Sequence, residues 1–215
     1  MKPENNREIE VKLRVEDLAG LLRGLKRLRA RRLRRVHERN MLFDTPEGTM
    51  RRSRRLLRLR IETPLPGRGW MRRKSRAASK CILTFKWPGG TGGRYKDKME
   101  LETEIKDPVI FERILAGLGL APTFRYEKVR TYYQLPGVRD ASLELDETPI
   151  GIFLEVEGSR KGIDRAAKLL GKGPKDYIAA NYWVLYCAEC RRRGRRPGNM
   201  VFPPRKKIAI TSGFA

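Results

Sequence analysis

The chain has 215 residues, which is enough for one large domain or two small ones. Its 49 Lys and Arg residues outnumber its 25 Asp and Glu residues, and the formal charge of +24 favours polyanionic partners such as nucleotides, polyphosphate, nucleic acid or an anionic membrane surface. Three cysteines do not indicate a disulfide framework, and the polar N-terminus and the lack of a long apolar run argue against a signal region and a membrane span, so a cytoplasmic protein is predicted.

The first predicted strand, residues 8–15, alternates strictly between charged and apolar side chains. In a strand this alternation places one set on each face of the sheet. The charged face carries Glu8 and Glu10, whose carboxylates lie about 7 Å apart along the strand, and then Lys12. Two carboxylates at this spacing can reach one hard cation, while the lysine can bind an anion. A solvated edge strand is the alternative for this segment taken alone.

A basic helix is predicted next, with Asp17 as its N-cap and a stripe of leucines that ends at Leu28. Residues 23–39 carry nine Lys or Arg residues, among them Arg31, and one acid, Glu38. We interpret the basic residues as a solvated helix face. A helix that binds nucleic acid is the alternative.

The alternation of charged and apolar residues returns in seven more predicted strands. The basic stretch 64–79 is predicted to be a long hairpin loop. The Gly-rich segment 89–93 lacks the Lys and Ser/Thr of a P-loop, so a flexible turn is predicted there. The strands are predicted at residues 37–44, 56–62, 80–87, 99–105, 127–135, 142–147 and 152–157.

Further helices are predicted between and after the later strands. Asp107 and Pro108 cap the first of them, which ends at Gly119. Two shorter helical stretches at 164–170 and 174–186 close the domain, which is assigned to residues 1–186. Residues 187–215 are rich in Arg and Pro and are predicted to be a basic tail. The stripe of the helix after Asp107 consists of Phe111, Ile114, Leu115 and Leu118.

The charged residues of the strands are segregated by sign, and this segregation decides between two folds. If the charged faces pointed to solvent, the apolar faces would meet as a sandwich core, and the exposed faces would mix charges with Ser, Thr, Asn and Gln. Instead, pairs of one sign share a face, such as Arg58 with Arg60 and Glu155 with Glu157. A closed barrel with a charged interior and helices packed on its apolar outside explains this pattern. An empty charged interior is unfavourable, whereas a triphosphate with divalent cations would balance it.

The pentad Glu8-x-Glu10-x-Lys12 resembles the signature of the CYTH domain family, also called the triphosphate tunnel metalloenzymes. Taken together, the motifs cover about residues 7–186 of the chain. The resemblance implies an α+β fold built on an eight-stranded antiparallel closed β-barrel, a Mg²⁺ or Mn²⁺ requirement and a triphosphate-bearing small molecule as substrate. Further motifs follow in the family's order at residues 43–46, 57–60, 83–86, 100–102, 127–130, 145–149 and 153–158.

The resemblance also implies a role for each charged residue that points inward, and it implies Lys12, Lys86 and Glu157 as the catalytic group. Glu100 and Glu102 match supporting acids. The phosphate-binding positions are matched by Lys12, Arg58, Arg60, Lys86, Lys128 and Arg130. The metal-binding carboxylates are matched by Glu8, Glu10, Asp146, Glu155 and Glu157. Phosphoryl transfer fits this set, because it depends on charge neutralisation and an in-line nucleophile more than on a covalent residue.

Three functions remain open at this point. The family contains hydrolases of inorganic or thiamine triphosphate and class IV adenylyl cyclases. The cyclases resemble one another in a His-Phe pair before the pentad, which residues 3–7 lack, so a hydrolase is favoured. Asn40 stands where a tripolyphosphatase subgroup has a Tyr partner for the lysine that matches Lys86. The third function is nonspecific binding of RNA or another polyanion through the basic surface.

The remaining sequence motifs give little information about function. His37 is the only histidine, which argues against a His-based metal site or triad. Cys187 and Cys190 form half of a zinc motif without a second pair, and an incidental thiol pair is the favoured interpretation. No feature of the sequence predicts an oligomeric state.

Overall fold

A computed structural model describes residues 6–66, 78–90 and 93–203. Within these ranges eight antiparallel strands form a closed barrel in the order β1-β5-β4-β3-β2-β6-β7-β8, which confirms the predicted fold. The strands are β1 (Arg7–Val15), β2 (Arg31–Asp44), β3 (Leu56–Pro64), β4 (Lys80–Pro88), β5 (Lys96–Glu104), β6 (Ala121–Gln134), β7 (Ala141–Thr148) and β8 (Gly151–Gly158). The helices are α1 (Leu18–Arg27), α2 (Thr49–Arg52), α3 (Pro108–Gly117), α4 (Arg160–Leu169) and α5 (Tyr182–Arg192), with a 3-10 turn at Pro174–Asp176.

The apolar core lies outside the barrel, between its outer face and the helices. Val11 and Leu13 of β1 are almost fully buried there, and they pack with Leu25 of α1 and Ile163 of α4. The intervening residues of β1 point into the barrel. The charged face of the first strand is therefore interior, and the alternative of a solvated edge strand is wrong.

Side-chain caps begin the helices where the sequence places Asp, Ser or Asn. Asp17 accepts a hydrogen bond from the backbone N–H of Gly20, and Asp107 accepts one from Ile110. Both predicted caps are confirmed. Two residues of the predicted apolar stripe of α3 are not buried, since Ile114 is 51% exposed and Leu118 69% exposed. The helix packs on the barrel through Leu115 and Phe111.

The second strand begins earlier than predicted, and this corrects the interpretation of the basic segment. The helix ends at Arg27, and Arg29 adopts a left-handed φ of 54° that turns the chain into β2. Arg31 then pairs with Gln134 of β6, so it is an exposed strand residue and not part of a helix. The pairing of β2 with β6 overrides the local helical pattern, because each strand gains a ladder of hydrogen bonds along most of its length.

The predicted C-terminal tail departs from the structure in its first part. Helix α5 continues through residues 187–192, and Met200 is 1% exposed. The backbone of Met200 bonds to Arg125 and Glu127 at the edge of β6. Residues 187–203 thus include segments packed on the barrel, while residues 204–215 lie outside the described residues. Most of the predicted loop 64–79 and part of the turn 89–93 also lie outside them.

No helix within the described ranges is long and apolar enough to span a membrane.

Candidate active site

The interior of the barrel is a cavity of about 770 Å³, which we call the tunnel. Inward side chains of the strands form its wall, and residues from the end of β2 through α2 and from the start of α5 form one mouth. Nearly all the predicted site residues line it. Those that do are Glu8, Glu10, Lys12, Arg58, Arg60, Lys86, Glu100, Glu102, Lys128, Arg130, Glu155 and Glu157. Asp146 is fully buried behind the wall.

The six predicted phosphate-binding side chains are brought together, although they come from four different strands. All are buried, with exposures between 2% for Lys12 and 8% for Lys86. Buried cations are unfavourable unless carboxylates compensate them. Each one therefore has acidic neighbours, and these fall into three groups.

The first group surrounds the two lysines. Lys12 Nζ lies 2.8 Å from Glu10 Oε1 and 2.9 Å from Glu155 Oε1. Lys86 Nζ lies 2.6 Å from Glu8 Oε2. Burial alone would lower the pKa of Lys12, but Glu10 and Glu155 reverse this effect and raise its pKa. Glu8 likewise opposes the effect of burial on Lys86, whose pKa is also raised, so both lysines are held in the charged form.

The second group is centred on Arg130. Its guanidinium donates to Glu144, to Asp146 at 2.7 Å and to Glu155. Asp146 also accepts from Lys128 Nζ at 2.9 Å and from the hydroxyl of Tyr182 at 2.6 Å. Asp146 thus holds two cations in position from behind the tunnel wall.

The third group joins β3 to β5. Arg60 donates to Glu102 at 3.2 Å, and the hydroxyl of Thr84 donates to the same oxygen at 2.8 Å. Arg58 lies 3.5 Å from it. Burial would raise the pKa of Glu102, yet Arg60 and the other donors lower it to about 2, so this acid is ionised.

Three other acids in the tunnel have raised pKa values. Burial, followed by the neighbouring carboxylates Glu144, Glu8 and Glu10, raises the pKa of Glu157 to about 8. Burial raises the pKa of Glu144 to about 7, even though Arg130 opposes it. Burial similarly raises the pKa of Glu100 to about 7 against the effect of a lysine. In all three cases burial is the largest cause, and neighbouring carboxylates add to it.

The predicted metal ligands suit Mg²⁺ or Mn²⁺ in donor type, because all of them are carboxylates. Their arrangement is not a formed coordination site: within the described ranges, no group of three or more His, Cys, Asp and Glu side chains is placed to hold a metal ion. Lysines bind the carboxylates of Glu8 and Glu10. Glu157 differs, since its carboxylate makes no ion pair or hydrogen bond with a side chain of the described ranges. The donor set fits a divalent cation in chemistry, with Glu157 as its unpaired member.

The sequence analysis missed several residues of this site. Glu38 is fully buried, and its carboxylate lies 3.6 Å from Lys128 and 3.7 Å from Arg130. The sequence analysis placed Glu38 in the predicted strand 37–44 and counted it as the one acid of the basic segment 23–39, but it assigned Glu38 no role in the site. Lys96, which donates to Glu10 at 2.8 Å, lies just before the predicted start of its strand. Tyr182 packs in the core, and its hydroxyl donates a hydrogen bond to Asp146.

Comparisons with known proteins agree with this architecture. A family profile of the CYTH domain matches residues 6–176. A Methanocaldococcus jannaschii protein that carries adenylate cyclase as a provisional name is 24% identical over 163 residues, which cover 76% of this chain and 83% of that protein.

Solved structures have the same fold. The PH1012 protein of Pyrococcus horikoshii is 26% identical, with a TM-score of 0.63 over 83% of this chain and 98% of that one. The Hippeastrum protein HpAC1, described as a candidate adenylyl cyclase with a dominant triphosphatase activity, is 22% identical, with a TM-score of 0.56 over 88% of this chain and 97% of that one.

Proposed function

Because this chain belongs to the CYTH domain family, we propose that it is a divalent-metal-dependent hydrolase that cleaves the terminal phosphate of a triphosphate substrate inside the tunnel. The observation that carries the proposal is the set of six buried cations that line one cavity. A soluble enzyme has little reason to bury so many unless they bind a polyanion, since burying charge is costly.

In the proposed mechanism the basic side chains bind and orient the triphosphate chain. Lys12 and Lys86 donate to phosphate oxygens, and Arg130 is prealigned by three carboxylates. Preorganised donors of this kind stabilise the charge that develops on the transferred phosphoryl group, because they need no reorganisation during the reaction. A water molecule in line with the terminal phosphorus is the proposed nucleophile.

We propose that Glu157, together with Glu8 and Glu10, would hold the Mg²⁺ or Mn²⁺ ion. When bound, the metal would supply positive charge to the phosphate oxygens. The other two predicted ligands have a different role in this proposal. Glu155 and Asp146 are bound by basic side chains, and they fix the positions of Lys12, Lys128 and Arg130.

One assay tests the proposal. The protein is incubated with Mg²⁺ or Mn²⁺ and with inorganic triphosphate, thiamine triphosphate or ATP, and phosphate, pyrophosphate and cyclic AMP are separated. We expect metal-dependent phosphate release. In Lys86→Met this release should fall at least about 100-fold, the scale for loss of one preorganised electrostatic donor. Lys26→Met is the matched control, because Lys26 is exposed on α1.

The same assay judges the two alternatives. Cyclic AMP with pyrophosphate as the main products would identify an adenylyl cyclase, the provisional name of the Methanocaldococcus relative. No turnover with any triphosphate, together with RNA binding that weakens steeply with salt, would instead support a polyanion-binding protein that uses its basic surface. Either result would refute the hydrolase.

A further inference from the structure

The size of the tunnel first indicates that the substrate is larger than a bare triphosphate. A volume of about 770 Å³ lies within the range of about 300–1,000 Å³ that is usual for pockets enclosing an organic ligand of drug size. The basic residues occupy its interior, and a triphosphate bound among them would leave the mouth beside α5 unfilled.

That mouth is lined by aromatic and aliphatic side chains. Trp183 at the start of α5 meets Phe124 of β6 edge to face, with ring centroids 4.8 Å apart. Leu42 of β2 is opposite Phe124 in the strand pairing, and all three side chains line the cavity. Trp183 is only half-buried, so part of its indole ring remains open to the cavity. Flat aromatic rings bind favourably to such surfaces.

The charge of the mouth indicates which kind of substrate ring can bind there. Three exposed arginines of α2 and of the segment between α2 and β3 line the same cavity, namely Arg51, Arg54 and Arg55. Asp44 is occupied in holding α2, since it accepts from the backbone N–H groups of Met50 and Arg51. A positively charged ring such as a thiazolium would therefore be repelled at this mouth, whereas a neutral ring would not.

We propose that Trp183, Phe124 and Leu42 form a subsite for the neutral, planar base of a nucleoside triphosphate. The inference rests on the proposed function, in which the interior of the tunnel binds the triphosphate. The base stacks at the mouth, and the phosphate chain extends inward to the buried cations. Trp183 is the specificity-determining residue, because it supplies the largest flat surface at the mouth.

Steady-state kinetics test this assignment with the full chain. In the wild type, kcat/KM should be higher for ATP than for inorganic triphosphate or thiamine triphosphate. Trp183→Leu keeps apolar bulk but removes the flat ring, and it should raise KM for ATP about 10-fold, as expected for loss of one base-stacking contact. Its KM for inorganic triphosphate should change less than about 2-fold. Trp87→Leu, on the outer face of β4, is the matched control and should change neither value.

A binding measurement separates the subsite from the reaction. A non-hydrolysable ATP analogue is titrated into the wild type and Trp183→Leu by calorimetry, and we expect weaker binding by about 10-fold in the variant. If no triphosphate is hydrolysed, the proposed function fails, but this titration still judges the subsite. Thermal unfolding checks both proteins, and Trp183→Phe replaces Trp183→Leu if the latter does not fold. Trp183→Phe should weaken binding of the ATP analogue less than Trp183→Leu, and it should leave KM for inorganic triphosphate unchanged.

Three results would overturn the inference. One is a wild-type preference for thiamine triphosphate or inorganic triphosphate over ATP. Another is an equal change in KM for ATP and inorganic triphosphate in Trp183→Leu. The third is unchanged binding of the ATP analogue in that variant.

Discussion

Replacement of Glu157 by Gln should have opposite effects on turnover and on the stability of the metal-free protein. Glu157 lies opposite Glu10 of β1 in the strand pairing. Burial and the nearby carboxylates raise its pKa from 4.5 to about 8. Because the folded protein binds this proton more tightly than the unfolded chain, the group's stabilising contribution is complete below pH 4.5 and is lost as the pH rises towards about 8.

The size of the effect follows from the same shift. A difference of about 3.5 pH units corresponds to at most about 5 kcal/mol, at about 1.4 kcal/mol for each unit. Partial exposure of Glu157 and relaxation of its neighbours reduce this, and we expect about 2–3 kcal/mol at pH 8. For a domain of this size each kcal/mol shifts the thermal midpoint by about 2–4 °C, so Glu157→Gln should melt about 4–12 °C above the wild type. At pH 5 the difference should nearly vanish, because Glu157 is protonated in the folded wild type.

The measurement is thermal unfolding in chelator at pH 5 and pH 8, followed by circular dichroism, with metal-dependent phosphate release assayed in parallel. Turnover should collapse in Glu157→Gln, since the unpaired carboxylate proposed to bind metal has lost its charge. Glu16→Gln, at an exposed position, is the control for loss of an acid. If Glu157→Gln keeps its turnover, or melts well below the wild type at pH 8, Glu157 is a structural ion-pair partner and the reasoning is wrong.

Three further predictions follow from the structure. Arg58→Ala should lower kcat/KM about 100-fold, because it removes a buried donor. Arg31→Ala should change kcat/KM less than about 3-fold at physiological salt, where exposed charges are screened. Equal effects of the two substitutions would mean that surface charge binds the substrate. Chelator should abolish phosphate release and Mg²⁺ or Mn²⁺ should restore it, and full turnover in excess chelator would refute the metal requirement. Gly158→Ala should strongly reduce the yield and thermal midpoint, because Gly158 has a φ of +152° and an added Cβ would lie 2.1 Å from the carbonyl oxygen of Asp140; a midpoint near that of the wild type would contradict this geometry.

The interior of the barrel could be predicted because side chains in a strand alternate with period two. Lys12, Arg58 and Lys128 were assigned to one interior from alternation and sign alone, and the structure brings them to one cavity. A barrel places every inward residue of its strands in a single space, so many weak local signals point to one location. The roles assigned to these residues in phosphate and metal binding remain predictions.

The errors arose where tertiary contacts override a local pattern. The start of β2 was assigned to a helix, because a run of Arg and Leu residues is compatible with either element, and only pairing with β6 decides it. Glu38 was missed as a site residue although its strand was predicted, because its contacts with Lys128 and Arg130 depend on the pairing of β2 with β6. The continuation of α5 beyond residue 186 was missed because an Arg-rich segment resembles a disordered tail, whereas Met200 packs with Tyr182 in the core. The ion pairs within the tunnel could not be derived from sequence, since they depend on the register of neighbouring strands.

These ion pairs determine what substrate binding must achieve. Every one of the six basic side chains already has an acidic neighbour in the tunnel or directly behind its wall, so a triphosphate does not bind to unpaired cations there. The triphosphate must replace carboxylates as the partner of these cations. The free energy of binding is therefore the difference between the new phosphate–cation pairs and the lost carboxylate–cation pairs. The displaced carboxylates would then face one another, next to Glu157, whose own ionisation is already unfavourable. A divalent cation would relieve that repulsion, so binding of triphosphate should favour binding of metal, and by linkage metal should favour triphosphate by the same factor. The buried acids that resist ionisation thus act against an anion that arrives alone and in favour of one that arrives with its cation.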